Sequence, residues 1–248
     1  NPVAHSKSPR IHNRWLKSLG LNAVYIPFLV DDPAAFFRLA EVLPIEGFSV
    51  TLPHKEKVIP FLHRLEHPVK KIGACNTVFR KEGKWVGTNT DYEGFLSPIE
   101  TLLREGSIQS ALVIGAGGAA RTVVHALCDR GVRVQICNRT AVKAEELAKE
   151  AGCGHVLQEE VNSSGPYDLV VQTTNVGMEP DIEGDPLPGY RFTGRETVYD
   201  IIYTPEKTVF LRRAEERGCK IIGGAQMLRK QAEAQFRIFT GGMNPPDY

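Results

Sequence analysis

Residues Ala111–Val124 (ALVIGAGGAARTVV) constrain the fold of this chain more than any other stretch. A short apolar run ends in a cluster of small residues, and a helix-forming segment follows. The pattern is strand, tight turn, helix. Gly115, Gly117 and Ala120 sit at the spacing G-x-G-x-x-G/A, with Ala116, Gly118 and Ala119 filling the turn. The first glycine permits the sharp turn. The second lets the backbone approach a pyrophosphate, and the small third residue lets helix pack on strand. The N-terminal N–H groups of that helix then face the phosphates. The turn predicts a dinucleotide-binding unit, against the plainer reading of a phosphate-free turn.

The next strand sharpens the nucleotide. Val132 to Cys137 reads as a strand that ends in Asn138-Arg139-Thr140, with Lys143 one turn on. Units that select NAD usually place an acid about 20 residues past the glycines, on the ribose 2′-hydroxyl. No acid stands at this strand end. Arg139 and Lys143 suit a 2′-phosphate, which a guanidinium can bind through two hydrogen bonds. Thr140 reads as the cap of the next helix. NADP is therefore expected over NAD. Tyr167 to Thr173 reads as a buried strand, and the loop through Met178 would lie on the nicotinamide side. Thr197 to Tyr203 and Lys220 to Ile222 read as further strands. Gly223-Gly224 introduces a final helix that could pack back on the first half, where Gln231 is either solvated or part of a site.

The first 93 residues alternate strand and helix without a glycine-rich phosphate turn. Helices are expected after Ser8-Pro9, after Asp32-Pro33 and, briefly, after Pro53. Strands are expected over 23–30, 47–52, 74–80 and 84–88. Polar residues gather where strands end, which is where ligands bind in open α/β sheets. They are Ser6 and Ser8, Thr51, Lys55, Asn76 and Asp91. Each has a plainer reading. The serines and Asp91 could cap helices, and Asn76 could sit in a turn. Lys55 stands out, because a cation in a first helical turn is disfavoured by roughly 0.3–1 kcal/mol. A Lys–Asp pair in a cleft could hold and relay a proton near neutral pH.

Charge and composition exclude several classes. The net charge is +1 over 248 residues, which argues against a nucleic-acid binder or a polybasic membrane surface. No apolar run approaches the ~20 residues of a membrane span. The five cysteines show no C-x-x-C spacing and read as reduced core thiols in a cytoplasmic compartment. Nor does any metal-ligand spacing occur, so no metal is expected. The chain opens at Asn1 without an initiator Met, and upstream residues are expected.

Several separated motifs, taken in order, resemble the shikimate dehydrogenase family over essentially the whole chain. They are residues 1–9 (NPVAHSKSP), 50–55 (VTLPHK), 73–77 (GACNT), 89–94 (NTDYEG), 115–120, 138–140 (NRT), 200–205 (DIIYTP) and 223–231. The resemblance implies NADPH-dependent reduction of 3-dehydroshikimate to shikimate. It assigns Lys55 and Asp91 as the catalytic pair and Ser6, Ser8, Thr51, Asn76, Tyr203 and Gln231 to the substrate. It places Met178 beside the nicotinamide and adds Gly224 to the cofactor set. It implies two α/β domains with a cleft between them. A mixed-sheet substrate domain would take 1–93 plus about 226–248, and a Rossmann-like NADP domain would take 94–225. Monomer and homodimer both remain open.

Three departures stand out. Ser49 occupies a place where many members have Asn, which predicts a shorter or water-mediated substrate contact. A Ser there resembles members fused behind a dehydroquinate dehydratase domain. Gln172-Thr173-Thr174 replaces the more usual Asn-Ala-Thr. The family's first strand, which precedes Asn-Pro-Val, is expected upstream. Two rival readings are a dual quinate/shikimate dehydrogenase, which Arg139 and Lys143 disfavour, and a non-catalytic ligand sensor, which would not need the Lys–Asp pair.

Overall fold

The computed structural model describes residues 6–51 and 53–246. Asn1–His5 and Leu52, which belong to two of the motifs, lie outside the described residues. The chain divides into two compact units. One runs up to Glu93 and takes in the residues from Lys230 onward; the other is Gly94–Arg229.

The first unit is built from α1 (Ser8–Ser18), α2 (Pro33–Val42), β1 (Gly47–Ser49), β2 (Arg64–Leu65), α3 (Val69–Ile72), β3 (Thr77–Lys81) and β4 (Lys84–Thr88). Helix α4 (Thr90–Leu96) starts at its end. The sheet order is β1-β3-β4-β2, antiparallel except for the β4–β2 pair. Asp32 caps α2 by accepting the Ala34 N–H at 2.9 Å, and Pro33 fits its first turn. Helix α2 turns Phe37 and Ala40 onto Val78, Trp85 and Phe48, where aromatic rings meet edge to face. Glu41 ties this layer by accepting Trp85 Nε1 at 2.6 Å and an Arg80 guanidinium N–H at 3.1 Å. A second cluster joins Trp15 of α1 to Ala232 and Phe236 of the final helix.

Two expectations are corrected here. Residues 23–30 form no strand. No ladder partner is found for them among the described residues, and side chains hold the backbone instead. Asn13 bonds both the N–H and the C=O of Tyr25, at 2.7 and 2.8 Å, and His54 Nε2 lies 2.7 Å from the Val30 carbonyl. Val24, Ile26 and Leu29 stay exposed. Nor does a helix begin at Pro53. The stretch makes turns, with one 3₁₀ turn at Ile59–Phe61. Pro60 has no N–H to give the Glu56 carbonyl, so an α-helix cannot propagate through it.

The second unit adds α5 (Glu100–Arg104), β5 (Ser110–Ile114), α6 (Gly118–Asp129), β6 (Arg133–Cys137), α7 (Ala141–Ala151), β7 (Gly154–His155), α8 (Val161–Ser164), β8 (Leu169–Gln172), β9 (Thr197–Asp200), α9 (Val209–Glu216) and β10 (Lys220–Ile222). Helix α10 (Gly224–Phe239) begins in this unit and ends in the first. The strand order β10-β9-β8-β5-β6-β7 is all parallel and reverses direction between β5 and β8. That is the doubly wound dinucleotide-binding topology, whose ligand crevice opens at the strand ends flanking the reversal. The apolar runs of β5 and β8 are wholly buried, as strands covered on both faces must be.

One buried carboxylate is needed to shape this end of the sheet. Asp200 ends β9 at zero exposure. Its Oδ1 accepts the Ile202 N–H at 2.9 Å and its Oδ2 accepts the Thr208 hydroxyl at 2.7 Å. Burial pushes its pKa up to about 6, and the two hydrogen bonds only partly oppose that. A raised acid pKa means that the folded state holds the proton longer than the unfolded chain does. Stability should therefore fall by up to about 3 kcal/mol as pH rises from about 4 to 6. Asp200→Asn should remove this slope in urea unfolding midpoints measured from pH 4 to 7. An unchanged slope would assign it to another group.

Candidate functional site

In the first unit the site is built around a buried amide. Asn76 lies just before β3 and is 2 % exposed. Its Oδ1 accepts the Thr90 backbone N–H at 2.7 Å and the Thr77 hydroxyl at 2.7 Å. Its Nδ2 donates one hydrogen to Thr90 Oγ1 at 3.1 Å. An amide nitrogen carries two hydrogens, so one N–H is left over. Asn76 thus does more than sit in the bend before β3: it fastens the sheet to the start of α4.

The same start of α4 places Asp91. Asn89 caps it, accepting the Asp91 N–H through Oδ1 at 3.0 Å and anchoring its own Nδ2 on the Ala74 carbonyl at 2.9 Å. Because Asn89 does the capping, the Asp91 carboxylate is free to act elsewhere. It accepts the Lys55 ammonium at 2.6 Å, with both side chains mostly buried at 14 % and 19 % exposure. Lys55 is held from the other side by its own carbonyl, which accepts the Cys75 N–H at 2.8 Å. Thr51 is exposed at the end of the same stretch, where its carbonyl accepts the His54 N–H at 2.9 Å. Ser6 Oγ accepts the Ser8 N–H at 3.2 Å, so Ser6 supports the first turn of α1, and Ser8 lies inside that helix. Gln231 is buried on α10.

Two residues of this network carry no local motif. Gln235, one turn after Gln231, is 2 % exposed. Its Oε1 accepts the Ser49 hydroxyl at 2.8 Å, and its Nε2 donates to Thr77 Oγ1 at 3.0 Å. Burial raises the Tyr25 phenol pKa, and the neighbouring Ser49 and Ser8 side chains partly oppose that rise. Ser49 is therefore engaged by Gln235 and Tyr25, which explains why a short hydroxyl suits that place. The i, i+4 spacing from Gln231 was the one available signal for Gln235.

In the second unit the glycine-rich turn joins β5 to α6. Gly115 takes φ +118°, and a Cβ there would meet Thr173 Oγ1 at 2.5 Å. At Gly117 and Gly118 a Cβ would find nothing within 4 Å. Helix α6 has no side-chain cap, so its first N–H groups face that open space. A cavity of about 180 Å³ is lined by Ala116, Gly117, Asn138, Arg139, Thr140 and Lys143. Two cations, two uncapped helix starts and an open glycine cradle fit a dinucleotide carrying an extra phosphate. Asn138 Nδ2 donates to the Thr140 carbonyl at 2.9 Å, folding the strand end over. Thr140 takes the N-cap position of α7 without a side-chain cap bond, contrary to its expected role. With its hydroxyl unspent there, the helix start stays open to an anion.

Ala119 lies in the first turn of α6. Met178 is 42 % exposed on the loop after β8, and Tyr203 is half-buried on the loop after β9. At Gly224 a Cβ would lie 2.1 Å from the Ile201 carbonyl oxygen, so only glycine allows α10 to start so close to that loop. No cluster of three or more metal-ligating side chains occurs among the described residues.

Fold and site together define an α/β oxidoreductase of the nicotinamide-nucleotide class, with a separate polar substrate unit. Residues 1–78 match the shikimate dehydrogenase substrate binding domain, and residues 100–176 match the shikimate / quinate 5-dehydrogenase family. The NADP(+) shikimate dehydrogenase of Shouchella clausii is 36 % identical over 97 % of this chain and 90 % of its own length. The bifunctional 3-dehydroquinate dehydratase/shikimate dehydrogenase of Arabidopsis thaliana is 37 % identical over 97 % of this chain, which spans 43 % of that longer protein. The Thermus thermophilus shikimate 5-dehydrogenase, solved with NADP(H) and shikimate, is 38 % identical with a TM-score of 0.88, covering 99 % of this chain and 92 % of that one. The chain belongs to the shikimate dehydrogenase family.

Gly115→Ala tests the turn. The left-handed φ alone should cost about 1–3 kcal/mol, with more lost to the contact at Thr173. Urea unfolding should show a clearly lower midpoint. A midpoint equal to that of the wild type would mean that the turn does not need its glycine.

Proposed function

We propose that this chain catalyses the reversible NADPH-dependent reduction of 3-dehydroshikimate to shikimate. The observation that carries the reading is the 2.6 Å Lys55–Asp91 contact at the end of the buried Asn76 network. The substrate is a small polyhydroxylated acid, and the polar groups of the first unit suit one. Ser6 and Ser8 offer hydroxyls to its carboxylate, and Tyr203 is assigned to the same group. Thr51, the remaining Asn76 N–H and Gln231 offer hydrogen bonds to its hydroxyls.

When bound, NADPH supplies the hydride for the C3 carbonyl carbon. The cavity between α6 and α7 would hold its adenosine end. There Arg139 and Lys143 pair with the 2′-phosphate, and Gly115 to Ala119 follow the pyrophosphate. Met178 and Gly224 are assigned to the nicotinamide side. Negative charge grows on the carbonyl oxygen during reduction. Lys55 Nζ stabilises that charge and gives up its proton there. Asp91 orients the ammonium and accepts the neighbouring substrate hydroxyl. In the reverse direction Lys55 takes the proton back.

None of the five cysteines is in a disulfide, which supports a reducing, cytoplasmic setting; monomer and homodimer both fit the reading. Neither a nucleic acid nor a membrane is needed as partner.

Lys55→Ala should lower kcat by about 10²–10⁴-fold, the usual share of a positioned acid–base group, while shikimate still binds. Steady-state kcat and KM with shikimate and NADP+ check it. Near-normal turnover would refute Lys55 as the proton donor.

A further inference from the structure

The strand ends that flank the reversal of the parallel sheet are Ile114 of β5 and Gln172 of β8, which pair in register. Gln172 is wholly buried, an unusual place for a primary amide unless its hydrogen bonds are met. They are met entirely by the loop that follows. Oε1 accepts the Thr174 backbone N–H at 2.7 Å. Nε2 donates to the Val176 carbonyl at 3.0 Å and to the Thr174 carbonyl at 3.3 Å. One side chain thus does for this loop what a helix cap does for a helix. The main chain adds a link to the next strand, since the Gln172 carbonyl accepts the Ile201 N–H at 3.2 Å.

The loop so held forms one wall of the glycine-rich turn. Thr173 donates its hydroxyl to the Ile114 carbonyl at 2.7 Å and its N–H to the same oxygen at 2.9 Å. Its Oγ1 and the Thr174 Cγ2 are the atoms that a Cβ on Gly115 would strike first, at 2.5 and 3.0 Å. Gln172, Thr174 and Gly115 therefore form a continuous packed path from a buried amide to the cradle.

We propose that Gln172 is a positioning residue for the nicotinamide nucleotide: it fixes the Thr173–Val176 wall against Gly115 and so sets cofactor affinity. The proposal rests on the NADP reading above. Gln172 itself touches no reacting atom. Its effect passes through the backbone of Thr174, where a small displacement of a supporting wall is felt at the bound ligand.

The test uses Gln172→Met, which keeps the volume and removes the side-chain hydrogen bonds to the loop, with NADPH fluorescence titration and thermal melting on the same samples. The dissociation constant for NADPH should rise about tenfold, with KM for shikimate within about twofold of wild type. A lower melting temperature with an unchanged NADPH dissociation constant would overturn the proposal, because a merely structural residue would behave that way. If Gln172→Met is insoluble, Gln172→Asn is read by the same criterion: weaker NADPH binding supports the proposal and unchanged binding overturns it. Wild-type protein that fails to bind NADPH would defeat the NADP reading first and the proposal with it, and the wild-type titration separates that failure from the others.

Discussion

The buried Asn76 amide is the joint on which the first unit's chemistry depends. A primary amide at 2 % exposure must satisfy its hydrogen bonds within the protein. Asn76 does so by gripping Thr90 through both the backbone N–H and the hydroxyl. That grip sets where α4 begins. The start of α4 sets Asp91, and Asp91 sets the ammonium of Lys55. Removing the amide would leave the buried Thr90 N–H without its acceptor, a cost of about 1–3 kcal/mol. The carboxylate of the pair is therefore placed by the start of α4, and the Lys55 ammonium meets it there.

The second unit solves a different problem by similar means. A parallel sheet brings its strand ends together at the reversal, where several loops must leave without burying unpaired backbone groups. Gln172 and Asp200 are paired in register at the ends of β8 and β9. Each turns its side chain to the loop that follows it, Gln172 to Thr174 and Val176, Asp200 to Ile202 and Thr208. The two loops are joined by the Glu179 N–H donating to the Thr204 carbonyl at 3.1 Å. Buried polar side chains at these ends hold the loops that leave the sheet, while the apolar strands below supply the cohesion.

Much of this arrangement could be read from the chain, for reasons specific to each residue. Gly115 was legible because a φ near +118° beside a packed wall tolerates little else. Arg139 and Lys143 were legible because they stand at a strand end where an acid would otherwise be expected. Residues 23–30 misled because a continuous apolar run (AVYIPFLV) has the composition of a strand but does not say whether a partner lies beside it. The turn at Lys55 misled because Pro60, five residues on, stops helix propagation. Tyr25 was not legible as part of the site, and Gln235 only through its i, i+4 spacing from Gln231. Both reach it by long-range packing, from a segment without regular structure and from a helix near the other end of the chain.

The central claim is that a Lys–Asp substrate unit and a 2′-phosphate-selective cradle together define the reaction. Steady-state kcat/KM measured on one preparation for shikimate and quinate, each with NADP+ and NAD+, tests it most directly. The account predicts that shikimate with NADP+ exceeds the other three combinations, with the cofactor preference following from Arg139 and Lys143. Quinate with NAD+ equalling shikimate with NADP+ would contradict it.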